Sequence, residues 1–260
     1  MMNIHSKVIL EVGVNHLGDV KEAKKFLNFF LKSKFKKLTF MIHSKEFYSK
    51  MQKRIDYQLP KNFYSKAIKL AHKKKKKIGL AVCDLETYTP HFDINFDFYK
   101  LLGMGINNKE LIKKLASKKK NVFISLAQGS DSKINNSLKF FGRFKKLALI
   151  YTVRSYNPNH LDLNRISYLR KKYHIPVGYG HHFINSLPIY LSSFFKPSFF
   201  FLYIKNNSKK RKLIPDNDHA FFTNQLEEIM NGLNDATIML KEKKLVHTKI
   251  NIKSIVQKFK

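Results

Sequence analysis

Residues 11–19 read EVGVNHLGD and follow the apolar run Val8-Ile9-Leu10. They crowd a carboxylate (Glu11), an amide (Asn15), an imidazole (His16) and a second carboxylate (Asp19) onto the point where a buried segment stops. The arrangement recurs along the chain. One apolar run ends at His43, the next at Asp84 and Glu86, and a third carries Lys100 and leads to Asn107 and Asn108. Ser125 and Gln128, then Arg154 and Tyr156, then His181 and His182, then Asp216, Asp218 and His219 follow the later runs. A lysine or carboxylate on a buried strand is costly unless it meets a counter-charge or a ligand. Many such groups at one mouth suit an anionic or sugar ligand. Taken singly, a histidine at a strand end is more often a hydrogen-bonded structural residue. His181 and His182 are neighbours on a strand, point to opposite faces, and leave at most one to line a mouth. Lys100, inside an apolar strand, is the sharpest signal.

The elements that must position these groups are short apolar runs covered on both faces. Strands are predicted at Val8–Gly13, Lys37–Ile42, Ile78–Cys83, Phe98–Leu102, Val122–Leu126, Leu147–Thr152, Pro176–Tyr179 and Ser198–Ile204. Helical spacing separates them. Val20–Ser33 places Ala23, Phe26, Leu27, Phe30 and Leu31 on one face, with Asp19 as N-cap. Further helices run through Phe63–Ala71, through Leu111–Ala116 behind a cap at Asn107 or Asn108, around Ile166 and Leu169, and from Phe222 to Lys241. Strand–helix alternation implies parallel strands. Eight units in 260 residues imply a closed (β/α)8 TIM barrel, a single domain over residues 1–260 with its core at about 8–245.

The formal charge is +32, from 44 Lys, 6 Arg and 18 acidic residues. Such a balance raises nucleic acid or another polyanion as partner. The shortage of arginine, the bidentate reader of phosphates and bases, argues against it. Abundant Lys, Asn, Ile and Phe with no Trp is the bias of AT-rich codons, so a basic nucleic-acid-binding protein is the weakest reading. The lysine runs Lys73–Lys77 and Lys118–Lys120 fall at helix ends, where solvated lysines are expected. The single cysteine, Cys83, excludes an intrachain disulfide and a cysteine-based zinc site. No signal segment is visible and no apolar run reaches the roughly 18 residues that span a bilayer. The expected location is cytoplasmic, without membrane association.

Several stretches together match one family. EVGVNHLGD resembles the strand-one signature Glu-Ile-Gly-x-Asn-His-x-Gly of the sialic acid synthases, the N-acetylneuraminate synthase family. FYKLLGMGINNKELIKKLA resembles that family's Tyr-Lys-Ile-x-Ser-Gly-Glu segment and following helix, and NVFISLAQGS its Ile-Leu-Ser-Thr-Gly-Met stretch. YTVRSYNPNH through GYGHHF resembles the span from Cys-Thr-x-x-Tyr-Pro to Gly-x-Ser-Asp-His, and IPDNDHAFF the Gly-Pro-Asp-His loop. The matches lie in order over roughly residues 8–240.

The resemblance implies the barrel above and a carbon–carbon bond-forming transferase of nonulosonic or surface-sugar biosynthesis. Phosphoenolpyruvate condenses with an open-chain N-acyl amino sugar, and a divalent metal (manganese or magnesium) polarises the sugar aldehyde. Carried over by motif, Glu11 and Tyr156 are catalytic. Asn15, His16, Lys100, Asn107, Ser125, Asp218 and His219 bind substrate, and His182 is a metal ligand. The family also implies a homodimer. Its C-terminal antifreeze-like domain is not expected here. Departures are as clear. Thr39 stands for a strand-two lysine, Gly105 for the Glu of Ser-Gly-Glu, and Gly180-His181 for Ser-Asp. Phe201-Leu202-Tyr203 stands for Glu-Lys-His, which removes the second metal ligand unless His181 or His219 replaces it. Two readings therefore stand: a synthase with reduced or altered activity, or a catalytically degraded barrel that binds a phosphorylated or acidic sugar or serves as a partner subunit.

Overall fold

The computed structural model describes residues 4–43, 58–127, 129–206 and 214–240. Eight parallel strands run β1 (Val8–Gly13), β2 (Lys37–Met41), β3 (Lys77–Val82), β4 (Phe98–Leu101), β5 (Asn121–Ser125), β6 (Leu147–Thr152), β7 (Val177–Gly180) and β8 (Phe200–Lys205). Each pairs with the next, and β1 pairs with β8, so the sheet closes on itself. A two-residue β9 (Phe221–Phe222) pairs with the top of β8. The helices are α1 (Ile4–Lys7), α2 (Val20–Lys32), α3 (Lys61–Lys73), α4 (Leu85–Tyr88), α5 (Lys109–Ser117), α6 (Asp131–Phe141), α7 (Asn164–Tyr173), α8 (Leu187–Ser192) and α9 (Leu226–Met239). This is a (β/α)8 TIM barrel.

Period-two alternation sorts every strand. Val8, Leu10 and Val12 pack outward among Leu38, Phe40, Leu80 and the helix-borne Phe26 and Phe30. Ile9, Phe98, Phe123, Ala148, Ile150, Phe199 and Phe201 form a separate inner cluster. Phe123 sits edge-on to Phe98, Phe199 and Phe201, with centroids 5.6, 4.9 and 5.4 Å apart. Two glycines make room for this plug. A Cβ at Gly79 would stand 2.2 Å from the Phe98 ring, and one at Gly178 2.2 Å from Phe199. Greasy Phe199 and Phe201 thus fill the barrel floor, while Phe200 faces the helices. Each fully buried phenylalanine contributes roughly 1.5–3 kcal/mol.

The helix ends follow local chemistry. Asp19 caps α2, its Oδ1 accepting from the Lys21 and Glu22 amides at 2.7 and 3.3 Å. Of the two candidate caps for α5, Asn108 does the work, accepting from Leu111 N at 3.0 Å. Lys76 corrects the expectation of a solvated lysine run. It is 5 % exposed, and its ammonium donates to the carbonyls of Phe30, Ser33 and Phe35 at 2.6, 2.6 and 2.8 Å. The ammonium thus closes the carbonyl end of α2. Lys76→Met is expected to lower stability by about 2–3 kcal/mol, the scale of hydrogen bonds to a charged group. Urea unfolding checks it, against an unaffected Lys74→Met control.

Sequence periodicity located α2, α3, α5, α7 and α9 but missed the four-residue α1 and α4 as well as α6 and α8. In α6 only Ile134, Ser137 and Phe141 are buried, and DSKINNSLKFF carries too few apolar residues for a clear stripe. The six-residue α8 is too short to show a period. The expected end of the last helix at Lys241 lies outside the described residues.

Candidate functional site

At the C-terminal ends of the strands a cavity of about 430 Å³ opens. Its wall includes Met41, His43, Lys100, Ser125, Thr152, Arg154, Tyr156, His182, Tyr203, Asp216 and His219. Inward alternation explains the list. Lys100 is two residues above Phe98 on β4, Ser125 two above Phe123 on β5, and His182 two beyond Gly180 on β7. His181 turns outward, fully buried and stacked on Phe221 at 5.0 Å, and burial lowers its pKa to about 3. The neighbouring histidines therefore divide as expected.

Lys100 is the pivot. It is 2 % exposed and its ammonium is ion-paired with Glu11 Oε2, itself fully buried. The same ammonium donates to the Tyr203 hydroxyl at 3.4 Å and lies 4.8 and 5.1 Å from the Phe201 and Tyr203 ring centres. Glu11 is flanked in register by Thr39 on β2 and Tyr203 on β8. Burial raises the Glu11 pKa, with the Lys100 charge opposing. Glu11 Oε1 and Thr39 Oγ1 are buried without a hydrogen-bond partner. Glu11 does not line the cavity; Lys100 stands between it and the open space.

Tyr203 fills the centre of the floor. Its ring lies 4.9 Å from His182 and 4.8 Å from His219, and those two imidazoles are 4.6 Å apart. Thr152 Oγ1 shares a 2.8 Å hydrogen bond with His182 Nδ1, and the Tyr156 hydroxyl lies 3.3 Å from His219 Nδ1. Burial, followed by neighbouring positive groups, lowers His182 well below the usual imidazole range and His219 to about 4. Burial also lowers His43 to about 4. The rings are thus neutral at pH 7. A divalent ion on His182 does not fit the residues around it: the His219 ring is 4.6 Å away, but among the described residues no third His, Cys, Asp or Glu side chain joins these two with its ligand atom within 4.8 Å of both. Burial, and then the Glu11 and Asp216 carboxylates, push the Tyr203 phenol well above its ordinary range. A protonated phenol is a poor ligand, and it occupies the volume of a second imidazole.

Asn15 ties the first loop to the last. Its Nδ2 donates to the Ile204 carbonyl at 3.0 Å, and its Oδ1 accepts from Asp216 N at 3.3 Å. Asp216 then fits against β1 only because residue 13 is glycine: φ there is 56°, and a Cβ would meet Asp216 Oδ2 at 2.5 Å. His16 is fully buried behind the site, where its Nδ1 accepts from Gly18 N at 3.0 Å. Asn107 is exposed and absent from the cavity wall, and Asp218 lines a neighbouring surface depression. Gln128 lies outside the described residues. The structure thus brings Lys100, Ser125, Tyr156, His182 and His219 together around the cavity, and sets Asn15 and His16 behind it.

Three wall residues had appeared in the strand-end survey without being assigned a role: His43, Arg154 and Asp216. Inward spacing was their signal, since His43 follows Thr39 and Met41 in steps of two. Gly105 has a steric cause. A Cβ there would meet the Cys83 carbonyl oxygen at 2.5 Å, so the loop after β4 packs too closely for a side chain.

Asp216 gives the site a pH signature. Burial, then the Glu11 charge, raise its pKa to about 7, with Lys100 opposing. A raised folded pKa favours the proton-bound native state: its stability is present below about pH 4 and is lost as pH rises through 7. Asp216→Asn should therefore raise stability at pH 8 by on the order of 2 kcal/mol while changing little at pH 4. Thermal melts at both pH values test this; an equal shift at both would contradict it.

The NeuB family profile matches residues 28–191, more than half of the chain. No curated protein sequence matches it. Among solved structures, an N-acetylneuraminic acid (sialic acid) synthetase from Leptospira borgpetersenii superposes with a TM-score of 0.81 at 19% identity, covering 98% of this chain and 91% of that one. A spore coat polysaccharide biosynthesis protein from Bacillus subtilis gives 0.75 at 17%, over 98% and 77%. A truncated 3-deoxy-D-arabino-heptulosonate 7-phosphate synthase from Thermotoga maritima gives 0.66 at 13%, over 90% and 88%. These likenesses confirm the barrel, and the profile match supplies the lineage: the chain belongs to the NeuB family.

Proposed function

We propose that the chain is a sialic acid synthase-like protein of carbohydrate biosynthesis whose cavity binds a small anion of the phosphoenolpyruvate type, while metal-assisted condensation with an N-acyl amino sugar is strongly slowed. The Tyr203 ring, set among Lys100, His182 and His219, carries this reading. Family membership, the open cavity and the cations on its wall support binding. Arg154 is exposed on that wall and offers a bidentate fork to a carboxylate or phosphate. Ser125 supplies a hydroxyl on the same wall. The same observations weigh against ordinary turnover. Lys100 is already neutralised by Glu11, and the position of the second metal ligand is a phenol.

Titration calorimetry of phosphoenolpyruvate into the full chain tests binding. Saturable heat is expected, with affinity reduced about 10- to 100-fold in Arg154→Ala, the scale of one charge-assisted contact. No heat at millimolar phosphoenolpyruvate would sink the reading.

A further inference from the structure

One cluster carries an inference. Among the described residues, one group of three His, Cys, Asp or Glu side chains places its ligand atoms within 4.8 Å of one another: His43, Cys83 and Asp84. We infer that this trio is a binding site for a borderline divalent cation of the zinc class, on the wall of the main cavity.

The fold builds the trio from register. On β2 and β3, Met41 pairs with Ala81, and Ile42 N donates to the Ala81 carbonyl at 3.0 Å. Two residues further on, His43 and Cys83 follow on the same inward face. Asp84 comes next as the cap of α4. Its Oδ1 is committed to Thr87, accepting from the amide at 2.8 Å and the hydroxyl at 2.6 Å. That leaves Oδ2 turned to Cys83 Sγ, 3.1 Å away. Thr87 therefore fixes the carboxylate much as outer hydrogen bonds orient metal ligands. Cys83 is 6 % exposed and His43 3 %.

The donor set names the ion class. One imidazole nitrogen, one sulfur and one carboxylate oxygen suit zinc or cobalt far better than magnesium, calcium or manganese. A tetrahedral ion holds its ligand atoms about 3.3–3.8 Å apart, so the trio need close by only about 1 Å. Three protein ligands leave a fourth position. Of the three, His43 lines the main cavity. Binding expels the Cys83 thiol proton to solvent, leaving thiolate and carboxylate to balance the ion's double charge. The single cysteine excludes a site built on several thiolates, but not this mixed one. The site lies on different strands from His182 and stands independently of the reading above.

Anaerobic cobalt(II) titration of the full-length protein near neutral pH tests it. The chain has one cysteine, so sulfur-to-cobalt charge-transfer absorption in the near ultraviolet has a single source. The expected result is a band saturating near one equivalent, displaced by zinc. Cys83→Ser should abolish the band, and His43→Gln should weaken binding at least about tenfold. No charge-transfer band in the wild type at excess cobalt would overturn the inference. So would cobalt d–d absorption that survives unchanged in Cys83→Ser. If that variant does not fold, the wild-type band still decides.

Discussion

Lys100→Met is expected to destabilise the protein by about 3–5 kcal/mol, the scale at which a buried charge loses its partner. Glu11 is fully buried, flanked by Thr39 and Tyr203, and paired to Lys100. Removing the ammonium leaves that carboxylate in an apolar barrel, next to Phe201 and the floor below. Glu11→Leu is expected to cost comparably, because it strands the lysine. The double variant Glu11→Leu/Lys100→Met should recover most of the loss, since replacing both partners of a buried pair by apolar groups is often nearly neutral. Urea midpoints for the four proteins form a double-mutant cycle. Additive single effects would contradict the coupling. A lysine so coupled serves the barrel before it serves a ligand, which is why the cavity's exposed cation, Arg154, matters to the functional reading.

The second large effect concerns Tyr203→His. The substitution returns an imidazole to the place the family motif gives one, beside His182, whose ring is 4.9 Å from the present phenol ring. Manganese affinity at this floor should rise by about 10- to 100-fold, at least the effect of perturbing a metal site's outer shell. The His43–Cys83–Asp84 trio does not confuse the measurement, because manganese favours oxygen ligands over thiolate. Electron paramagnetic resonance of free manganese gives the binding curve directly. Equal curves for wild type and variant would show that Tyr203 is not what excludes the ion.

Much of this was legible in the sequence for physical reasons. Parallel strands buried on both faces read as short apolar runs, so β1 and β6 were placed with their observed ends, Val8–Gly13 and Leu147–Thr152. Asp19 and the opposite orientations of His181 and His182 followed from capping and from strand period. The family motifs located the cavity's upper wall through Lys100, Ser125, Tyr156, His182 and His219. Other features depend on distances that no local pattern encodes. The Lys100–Glu11 pair joins positions on opposite sides of the barrel. Lys76 looked like one lysine in a solvated run, yet it closes a helix end through three carbonyls. Asn15 reads as a site residue but holds Ile204 and Asp216 in place. His43 and Cys83 meet only because β2 and β3 pair in register.

On the proposed reading, the family cavity persists while its chemistry does not. The direct measurement is phosphate release from phosphoenolpyruvate by the wild-type chain, with manganese and a panel of N-acyl hexosamines. An ordinary enzyme turns over at about 10 s⁻¹, and loss of one acid or base group costs about 10²–10⁴-fold. With Tyr203 and Gly105 in place, release below about 0.1 s⁻¹ for every sugar is the predicted result. Release near 10 s⁻¹ with any of them would contradict the account.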